Sequence, residues 1–433
     1  MNNDNDQPTS PFPEGKGLKE ASQISMRKII VLDDDPTGIQ TVHGCKLITQ
    51  WDVQTVREAY NDSVSFFYIL TNTRAMTRNE AAAVTREAMR SVVCVLRESS
   101  ENELPIFISR SDSCLRGHFP LETDTMRQVL EENGIKVWHK TPFIPVFIEA
   151  GRVTIDGVHY MVDGNNLIPI AETEFAKDNV FGYTHSRLSD YIVEKGANQD
   201  DYEIVNAASY DELRAYVEKL TDEISGFDGA VVVRSSSSFP KAVSGITDRP
   251  LLERKELLGN KACNNAGMFI VGSHVQKTTR QLNSLLSQPE IVGIELDVEK
   301  IINSFDNYLK ETLLLLRAYG NQKIKVPVIY TSRKEIRLTD ADKRQQLGQT
   351  VSAFLVEIVR KLPFTPSYLV AKGGITSHDI LTKGLGVRIA TVMGQIIPNV
   401  PCVMADDFPY VIFPGNVGND NSLTDVYQTL CRA

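Results

Sequence analysis

The sequence predicts an α/β protein of two domains, each a mostly parallel or mixed sheet flanked by helices. Short apolar runs recur along the chain, and each ends in a polar or glycine-containing turn, as buried strands of parallel sheets do. Amphipathic stretches of helical period separate these runs. The chain has 433 residues, which is too long for one ordinary core, so about two domains are expected.

Composition and charge limit the partners that the protein is expected to have. The chain is 42% hydrophobic and 23% charged, and its formal net charge is −9. It therefore lacks the basic face of a general nucleic-acid binder, although local cations and helix N-termini can still bind a small anion. No apolar run could span a membrane, and the six Cys form no CxxC pair. We expect a cytoplasmic protein without nucleic-acid or membrane partners; a homodimer stays open.

The domain boundaries follow from changes in pattern along the chain. Residues 1–25 are polar and rich in Asn, Pro, Gly and Ser, which predicts a disordered tail. The charged stretch 247–264 lacks a strand pattern, and a new α/β pattern begins after it. We therefore predict one domain at 26–255 and a second at 256–433.

The first predicted strand, Ile29 to Leu32, ends in three carboxylates: Asp33, Asp34 and Asp35. Pro36 cannot extend a central strand, so the chain leaves the sheet there. The carboxylates then lie at the carboxyl end of a strand, where open α/β sheets bind their ligands. We interpret this turn as part of a functional site, with a solvated acidic turn as the alternative.

The next elements bring a second polar group to the same edge of the sheet. A predicted strand at Val64 to Leu70 is followed by Arg74, and a predicted helix at Thr77 to Leu96 opens with a capping box formed with Glu80. A strand at Pro105 to Ile108 then leads into the sequence SRSDSCLRG. This cluster carries four chemically active side chains: Arg110, Asp112, Ser113 and Arg116. Arg can hold a carboxylate with two hydrogen bonds, while Asp and Ser can hold hydroxyls, so the two turns predict opposite walls of one cleft.

The second half repeats a strand–glycine turn–helix pattern. Turns at Gly272-Ser273, at 373–376 and at 415–418 each follow a predicted strand. Backbone N–H groups in such turns can bind phosphate. Neither GxxxxGK[ST] nor GxGxxG occurs, and no His spacing indicates a metal site, so we predict no metal-ligating residues.

From Lys28 onward the chain resembles the four-carbon acid sugar kinase family. The first motif is matched by Asp34, Asp35, Thr37 and Gly38, and the second by Asp112, Ser113, Leu115, Arg116 and Gly117. The hairpin with Gly151 and Arg152 and the three glycine turns follow in the family's order. Two positions depart from its pattern: Ile375 stands where an acid is usual, and Phe413-Pro414 where Lys-Ser is usual.

The resemblance implies an ATP-dependent kinase that phosphorylates a hydroxyl of a tetronate-type sugar acid, such as threonate, erythronate or an oxo-tetronate. It implies a sugar-acid domain, a nucleotide domain and chemistry in the cleft between them, with Mg²⁺ bridging the phosphates. The expected catalytic residues are Asp35 and Asp34, with Asp112 in reserve as the base. The expected substrate-binding residues are Arg74, Arg110, Asp112, Ser113 and Arg116. The expected nucleotide-binding residues are Ser273, Gly373, Gly374, Thr376 and Gly415.

Two other functions remain open at this point. Asp33, Asp35 and Thr37 also spell the DxDxT pattern of haloacid-dehalogenase-type phosphatases, with Asp406 and Asp407 as candidate Mg²⁺ ligands. That interpretation leaves the Asp112 cluster and the glycine turns unexplained. A non-catalytic sugar-acid sensor on the same fold is the third hypothesis, because of the two departures in the nucleotide turns.

Overall fold

The computed structural model describes residues 27–99, 103–259, 267–320, 325–333 and 341–431. The tail predicted at 1–25 lies outside the described residues. The predicted fold class is confirmed: the chain is an α/β protein of two domains, built on a large mixed sheet with flanking helices.

The first half alternates strands and helices, as the sequence predicts, and contains further elements that the sequence analysis did not predict, among them a twelve-residue helix at Leu121–Glu132. Its strands are β1 (Ile29–Asp33), β2 (Lys46–Ile48), β3 (Phe66–Leu70), β4 (Ile106–Arg110), β5 (Thr141–Ile144), β6 (Arg152–Ile155), β7 (Val158–Asp163), β8 (Asn166–Pro169), β9 (Tyr202–Ile204) and β10 (Val231–Ser235). Its helices are α1 (Val53–Tyr60), α2 (Arg78–Glu98), α3 (Leu121–Glu132), α4 (Leu188–Glu194), α5 (Tyr210–Glu223), α6 (Ser238–Ser244) and α7 (Arg254–Leu258).

The second half begins a new α/β series. Its strands are β11 (Met268–Val271), β12 (Ile291–Leu296), β13 (Val326–Thr331), β14 (Leu369–Lys372), β15 (Ile389–Ile397), β16 (Val400–Ala405) and β17 (Phe408–Phe413). Its helices are α8 (Gln276–Leu286), α9 (Val298–Gly320), α10 (Ala341–Arg360), α11 (Gly374–Asp379) and α12 (Ser422–Cys431).

One continuous sheet carries both domains. Among the described residues, fourteen strands pair in the order β12-β13-β11-β14-β17-β16-β15-β2-β3-β1-β4-β10-β5-β9. Three central pairs, β17–β16, β16–β15 and β15–β2, are antiparallel. The strand pairs on either side of this central group are parallel. The seam between the halves is the β15–β2 pair, in which Ala390 lies opposite Leu47.

The twist of this sheet decides where the two sets of strand ends point. The antiparallel β15–β2 pair reverses strand direction between the halves, so a flat sheet would put their carboxyl ends at opposite edges. Adjacent strands rotate by roughly 20–25°, and six steps separate β14 from β1. A Cβ on Gly374, which follows β14, would lie 3.8 Å from Asp35 Oδ2, which follows β1. The turns after these two strands therefore approach each other, as an accumulated twist of this size predicts.

Local sequence explains why the strands and helices form where they do. Strands β1, β3, β4 and β10 are buried along their whole length, as expected for parallel strands covered by helices on both faces. The capping box predicted for α2 is confirmed: the Thr77 hydroxyl accepts from Glu80 N–H, and the Glu80 carboxylate accepts from Thr77 N–H at 2.9 Å. Apolar residues of α2, including Ala88 and Val92, face the core.

A separate three-stranded sheet, β6-β7-β8, lies beside the second polar cluster. Met161 of β7 and Phe175, a little further along the chain, pack on the apolar group that contains Cys114 and Leu115. The Phe175 ring also lies 5.1 Å from the Arg116 guanidinium carbon, where cation–π attraction holds the arginine. This small sheet therefore supports the turn that carries Arg116.

Candidate functional site

Asp33, the first of the three consecutive carboxylates, is an interior residue. Its side chain is fully buried, and its Oδ1 accepts a hydrogen bond from Arg110 Nη1 at 2.9 Å. The two residues lie opposite each other in the β1–β4 pair. Burial raises the pKa of Asp33 to about 7, and the Arg110 charge only partly opposes that rise. A Cβ on Gly38 would fall 1.9 Å from Asp33 Oδ2, so only glycine lets the chain turn over this carboxyl group.

Asp34 is buried as well, but it faces a different arginine. Arg74 Nε donates to Asp34 Oδ2 at 3.1 Å, and the Ser111 hydroxyl donates to the same oxygen at 2.6 Å. The backbone N–H of Arg74 also donates to the Asp34 carbonyl at 3.2 Å. Burial raises the pKa of Asp34, against the attraction of Arg74. Asp34 thus fixes the position of the Arg74 guanidinium.

Asp35 is the most accessible of the three carboxylates, with 21% of its side chain exposed. Its Oδ1 accepts from Thr37 N–H at 2.8 Å, and Arg74 Nη1 lies 3.1 Å from its Oδ2. Burial alone would raise the pKa of Asp35, but Arg74, Arg110 and the Thr37 hydrogen bonds outweigh it and leave the pKa below its ordinary value. Asp35 is therefore an ionised carboxylate at neutral pH.

The turn after β4 places Asp112 and Arg116 on the other side of Arg74. Arg116 Nε donates to Asp112 Oδ2 at 2.6 Å. Burial opposes ionisation of Asp112, yet Arg74 and Arg116 together hold its pKa at about 2. Ser113 is buried, and its carbonyl accepts from the His159 ring at 2.7 Å. The turn needs φ +131° at Gly117, where a Cβ would also lie 2.5 Å from the Ser111 hydroxyl.

The three arginines of the site differ in how far solvent reaches them. Arg110 is only 4% exposed and bridges Asp33 and the Ser237 hydroxyl. Arg74 is 17% and Arg116 is 28% exposed. Arg74 and Arg116 can therefore contact a ligand, whereas the burial of Arg110 gives it a supporting position. Binding of the substrate by Arg110 stays a prediction.

A buried network that sequence reasoning missed supports the Arg74 turn from behind. Arg234 Nη1 lies 2.6 Å from Glu122 Oε2 and donates to the Ser109 hydroxyl at 2.8 Å. The Thr73 hydroxyl, next to Arg74, donates to Glu122 Oε1 at 2.5 Å. Glu122 is on α3 and Arg234 on β10, and neither belongs to a motif that the sequence analysis used.

The three glycine turns of the second half lie side by side, because β11, β14 and β17 are adjacent in the sheet. Gly373 has φ +115°, and a Cβ there would lie 3.3 Å from Ser273 Cβ. A Cβ on Gly272 would lie 2.1 Å from the Thr376 hydroxyl, and one on Gly415 would lie 3.7 Å from the Ser273 hydroxyl. The structure therefore brings the predicted nucleotide-binding residues into one cluster.

Lys372, at the end of β14, is a second feature that the motifs did not reveal. Its side chain is fully buried, and its ammonium donates to the Pro414 carbonyl at 2.6 Å and to the Gly415 carbonyl at 3.2 Å. Burial, and to a smaller extent Lys277, lowers the pKa of Lys372 to about 7. A lysine at the end of a strand ordinarily reaches solvent, so the sequence alone gives no signal for this position.

The acidic turn and the glycine turns meet at Asp35. A Cβ on Gly374 would lie 3.8 Å from Asp35 Oδ2. The charge of Asp35 also acts on His378, in the same helix as Gly374. Asp35 thus lies next to a residue of the second predicted binding cluster, although Asp35 and Gly374 are more than three hundred residues apart in the sequence.

The geometry does not favour the phosphatase hypothesis. Its nucleophile, Asp33, has no exposed surface. Its two late acids, Asp406 and Asp407, lie in the turn before β17, whereas the glycine turn at Gly415 follows that strand. A six-residue strand rises ~20 Å, so these acids are at the far end of β17 from the cluster that Asp35 approaches.

In the parts of the chain that the structure describes, no group of three or more His, Cys, Asp or Glu side chains is arranged to hold a metal ion. Mg²⁺ in phosphoryl-transfer sites needs only one or two carboxylates beside the phosphates. None of the helices in those parts is both long and apolar enough to cross a membrane.

Two family models match the chain. One describes a sugar-binding N-terminal domain and covers residues 29–234; the other describes a nucleotide-binding C-terminal domain and covers residues 268–423. A D-erythronate kinase from Heliobacterium modesticaldum is 27% identical over 159 residues, which are 35% of this chain and 33% of that protein. The match spans about a third of that relative's length.

Two solved structures share the fold over nearly the whole chain. A Haemophilus influenzae protein of the DUF1537 family has a TM-score of 0.60 at 18% identity, over 93% of this chain and 100% of that one. A proposed tRNA synthase from Salmonella typhimurium LT2 has a TM-score of 0.64 at 17% identity, over 92% and 98%. At these identities the likeness establishes the fold alone.

Proposed function

This chain belongs to the four-carbon acid sugar kinase family, and we propose that it transfers the γ-phosphoryl group of ATP to a hydroxyl of a small four-carbon sugar acid. The observation that carries the proposal is the proximity of Asp35 to Gly374, because it joins the acid-and-arginine turns to the glycine turns. We propose the cleft between them as the active site. Threonate, erythronate and oxo-tetronates are the candidate substrates.

The sugar acid binds among Arg74, Arg116, Asp112 and Ser113. The two arginines are partly exposed cations in an otherwise acidic chain, so they are suited to a substrate carboxylate. Asp112, ionised because of both arginines, accepts hydrogen bonds from substrate hydroxyls.

Asp35 is the proposed general base. It is ionised, accessible and on the side of the acidic turn that faces the glycine turns. A positioned carboxylate within hydrogen-bond reach can accept the proton of the attacking hydroxyl as the bond to phosphorus forms. When Mg²⁺ is bound with ATP, it supplies charge neutralisation at the phosphates. Asp34 orients Arg74 instead of touching substrate, because it is buried under that side chain.

ATP binds along the turns of Ser273, Gly373, Thr376 and Gly415. Glycine permits the close approach of these turns. The N–H groups of Gly373 and Ser273 already donate to the Phe413 and Lys372 carbonyls, so the Ser273 and Thr376 hydroxyls are the proposed phosphate contacts there. The residue that departs from the family pattern, Ile375, is 61% exposed at the start of α11. An apolar side chain there is suited to contact the nucleotide base.

The most informative experiment is a coupled ADP-release assay with Mg²⁺ and ATP over a panel of four-carbon sugar acids. Turnover of at least one of them, dependent on both ATP and acid, supports the kinase. Binding of a sugar acid without turnover favours the sensor hypothesis. Release of phosphate from a phosphoester in the absence of ATP favours the phosphatase.

Arg116→Lys is expected to raise KM for the sugar acid by roughly 10- to 100-fold, the effect of losing a hydrogen bond to a charged group. Arg116 uses Nε for Asp112, and its Nη1 lies 4.0 Å from Asp178 Oδ2. That distance is too long for a hydrogen bond, so the terminal nitrogens can donate to the ligand. A lysine has a single nitrogen and cannot serve both. Initial rates at varied acid concentration measure the effect, and KM for ATP in the same variant is the control. An unchanged KM for the acid would remove Arg116 from the carboxylate site.

Gly374→Val is expected to raise KM for ATP at least tenfold and KM for the sugar acid far less. A valine side chain at this position would enter the space between α11 and Asp35. Gly348→Val is a suitable control, because a Cβ on Gly348 meets nothing within 4 Å. Equal rises in both KM values for Gly374→Val would indicate a general disturbance of the fold and not a nucleotide site.

A further inference from the structure

Lys372 is a buried cation whose contacts are all neutral. Its two hydrogen-bond acceptors are the backbone carbonyls of Pro414 and Gly415, and its Nζ lies 3.9 Å from the centre of the Phe413 ring. Among the described residues, no carboxylate lies within ion-pair distance of it. An ammonium in this setting is stabilised by dipoles and a ring face but lacks a counter-charge.

A buried charge without a counter-charge is unfavourable, and proteins rarely tolerate one. Lys372 nevertheless lies at the edge of the proposed nucleotide site, directly before Gly373. Because burial brings the pKa of Lys372 to about 7, part of the population is uncharged at neutral pH. An incoming anion would restore the full charge and be bound by it.

A second lysine reaches the same turn from the solvent side. Lys277, the second residue of α8, donates to the Asn416 carbonyl at 3.1 Å. It too has no carboxylate within ion-pair distance in the described parts of the chain. Helix α8 has eleven residues and begins without a side-chain cap, so its first N–H groups also favour an anion. Two lysines thus hold the three consecutive carbonyls of Pro414, Gly415 and Asn416, in a chain whose net charge is −9.

We propose that Lys372 and Lys277 are the cations that bind the phosphates of the nucleotide, Lys372 from the interior side of the turn and Lys277 from its outer side. The inference rests on the proposed kinase function and assigns two residues to its phosphate subsite. It also implies that nucleotide binding brings a proton to Lys372. A lysine that only fastened the turn would bind no proton when the nucleotide arrives.

The test is calorimetric titration of ADP with Mg²⁺ into the full-length protein at pH 8 and at pH 6, in two buffers of different ionisation enthalpy. The buffer dependence of the heat gives the protons taken up. We expect about one proton per ADP at pH 8, where Lys372 starts largely uncharged, and close to none at pH 6. The charge of Lys277 also lowers the pKa of Lys372, so a Lys277 variant is measured alongside.

Three variants separate the roles. Lys372→Met keeps the length of the side chain and is expected to bind ADP roughly 10- to 100-fold more weakly, without proton uptake. Lys372→Gln keeps one donor for the turn and should also lose the uptake, so it covers the case in which the Met variant does not fold. Lys277→Gln should bind about tenfold more weakly and keep the uptake. Lys361→Met, at a surface residue paired with Glu357, is the matched control and should change nothing.

The outcomes distinguish this inference from the function on which it rests. ADP binding by the wild type without proton uptake at pH 8 overturns the inference and leaves the kinase proposal intact. Wild-type affinity in Lys372→Met or Lys372→Gln overturns it as well. Failure of the wild type to bind ADP under any condition removes the proposed function, and the inference with it.

Discussion

Asp35→Asn is expected to lower kcat by roughly 10²–10⁴-fold, the usual contribution of general base catalysis, while sugar-acid binding changes little. Asn has the same shape but cannot accept a proton. Asp35 is the only one of the three consecutive acids that combines accessibility with proximity to Gly374. Steady-state kinetics give kcat, and equilibrium binding of the acid in the absence of ATP gives affinity separately.

The neighbouring acids are the matched controls for that result. Asp34→Asn weakens the hold on Arg74, so we expect a higher KM for the acid and a smaller loss of kcat. Asp33→Asn changes a group that is buried against Arg110 and should leave turnover largely intact in the kinase, whereas the phosphatase hypothesis requires it to be inactive. If Asp34→Asn loses turnover and Asp35→Asn loses only binding, the two roles are exchanged. Near-normal turnover in both would exclude this turn from the mechanism.

Local sequence predicted the parts of this protein that depend on local interactions. The capping box of α2 could be predicted directly, because a cap is contained within one helical turn. The turns after β1 and β4 were predicted to lie together because polar groups at the ends of parallel strands gather at one edge. The three glycine turns were predicted from the strand–glycine–helix pattern, and the adjacent strands β11, β14 and β17 bring them side by side.

Other features depend on pairings that no local pattern encodes. Strands β15 and β16 were missed: β15 is broken by register shifts around Gly394 and pairs with β2, more than three hundred residues away. The burial of Arg110 follows from its register opposite Asp33, which the sequence cannot specify. Arg74 and Arg110 are equally plausible ligand-binding arginines until the sheet shows which one faces inward.

Arg74 pairs with both Asp34 and Asp35. We expect its removal to lower the stability of the fold as well as the activity. Arg74→Met keeps most of the side-chain volume but leaves Asp34, which is 1% exposed, without its main counter-charge. Removing one partner of a buried ion pair typically destabilises a protein by roughly 3–5 kcal/mol. We expect a loss of that order at pH 8, measured by urea unfolding, together with a large loss of turnover.

The pH dependence of that loss tests its electrostatic origin. Without Arg74, the pKa of Asp34 in the folded protein rises further above its value in the unfolded chain. In the pH window between these two pKa values, the folded variant binds more protons than the unfolded chain. Its stability therefore falls as pH rises through the window, and the deficit relative to wild type should be smaller at pH 5.5 than at pH 8. Asp34→Asn in the Arg74→Met background removes the unpaired charge and should restore part of the stability at pH 8. An equal deficit at both pH values, with no recovery in the double variant, would mean that Arg74 supports the turn by packing and not by charge.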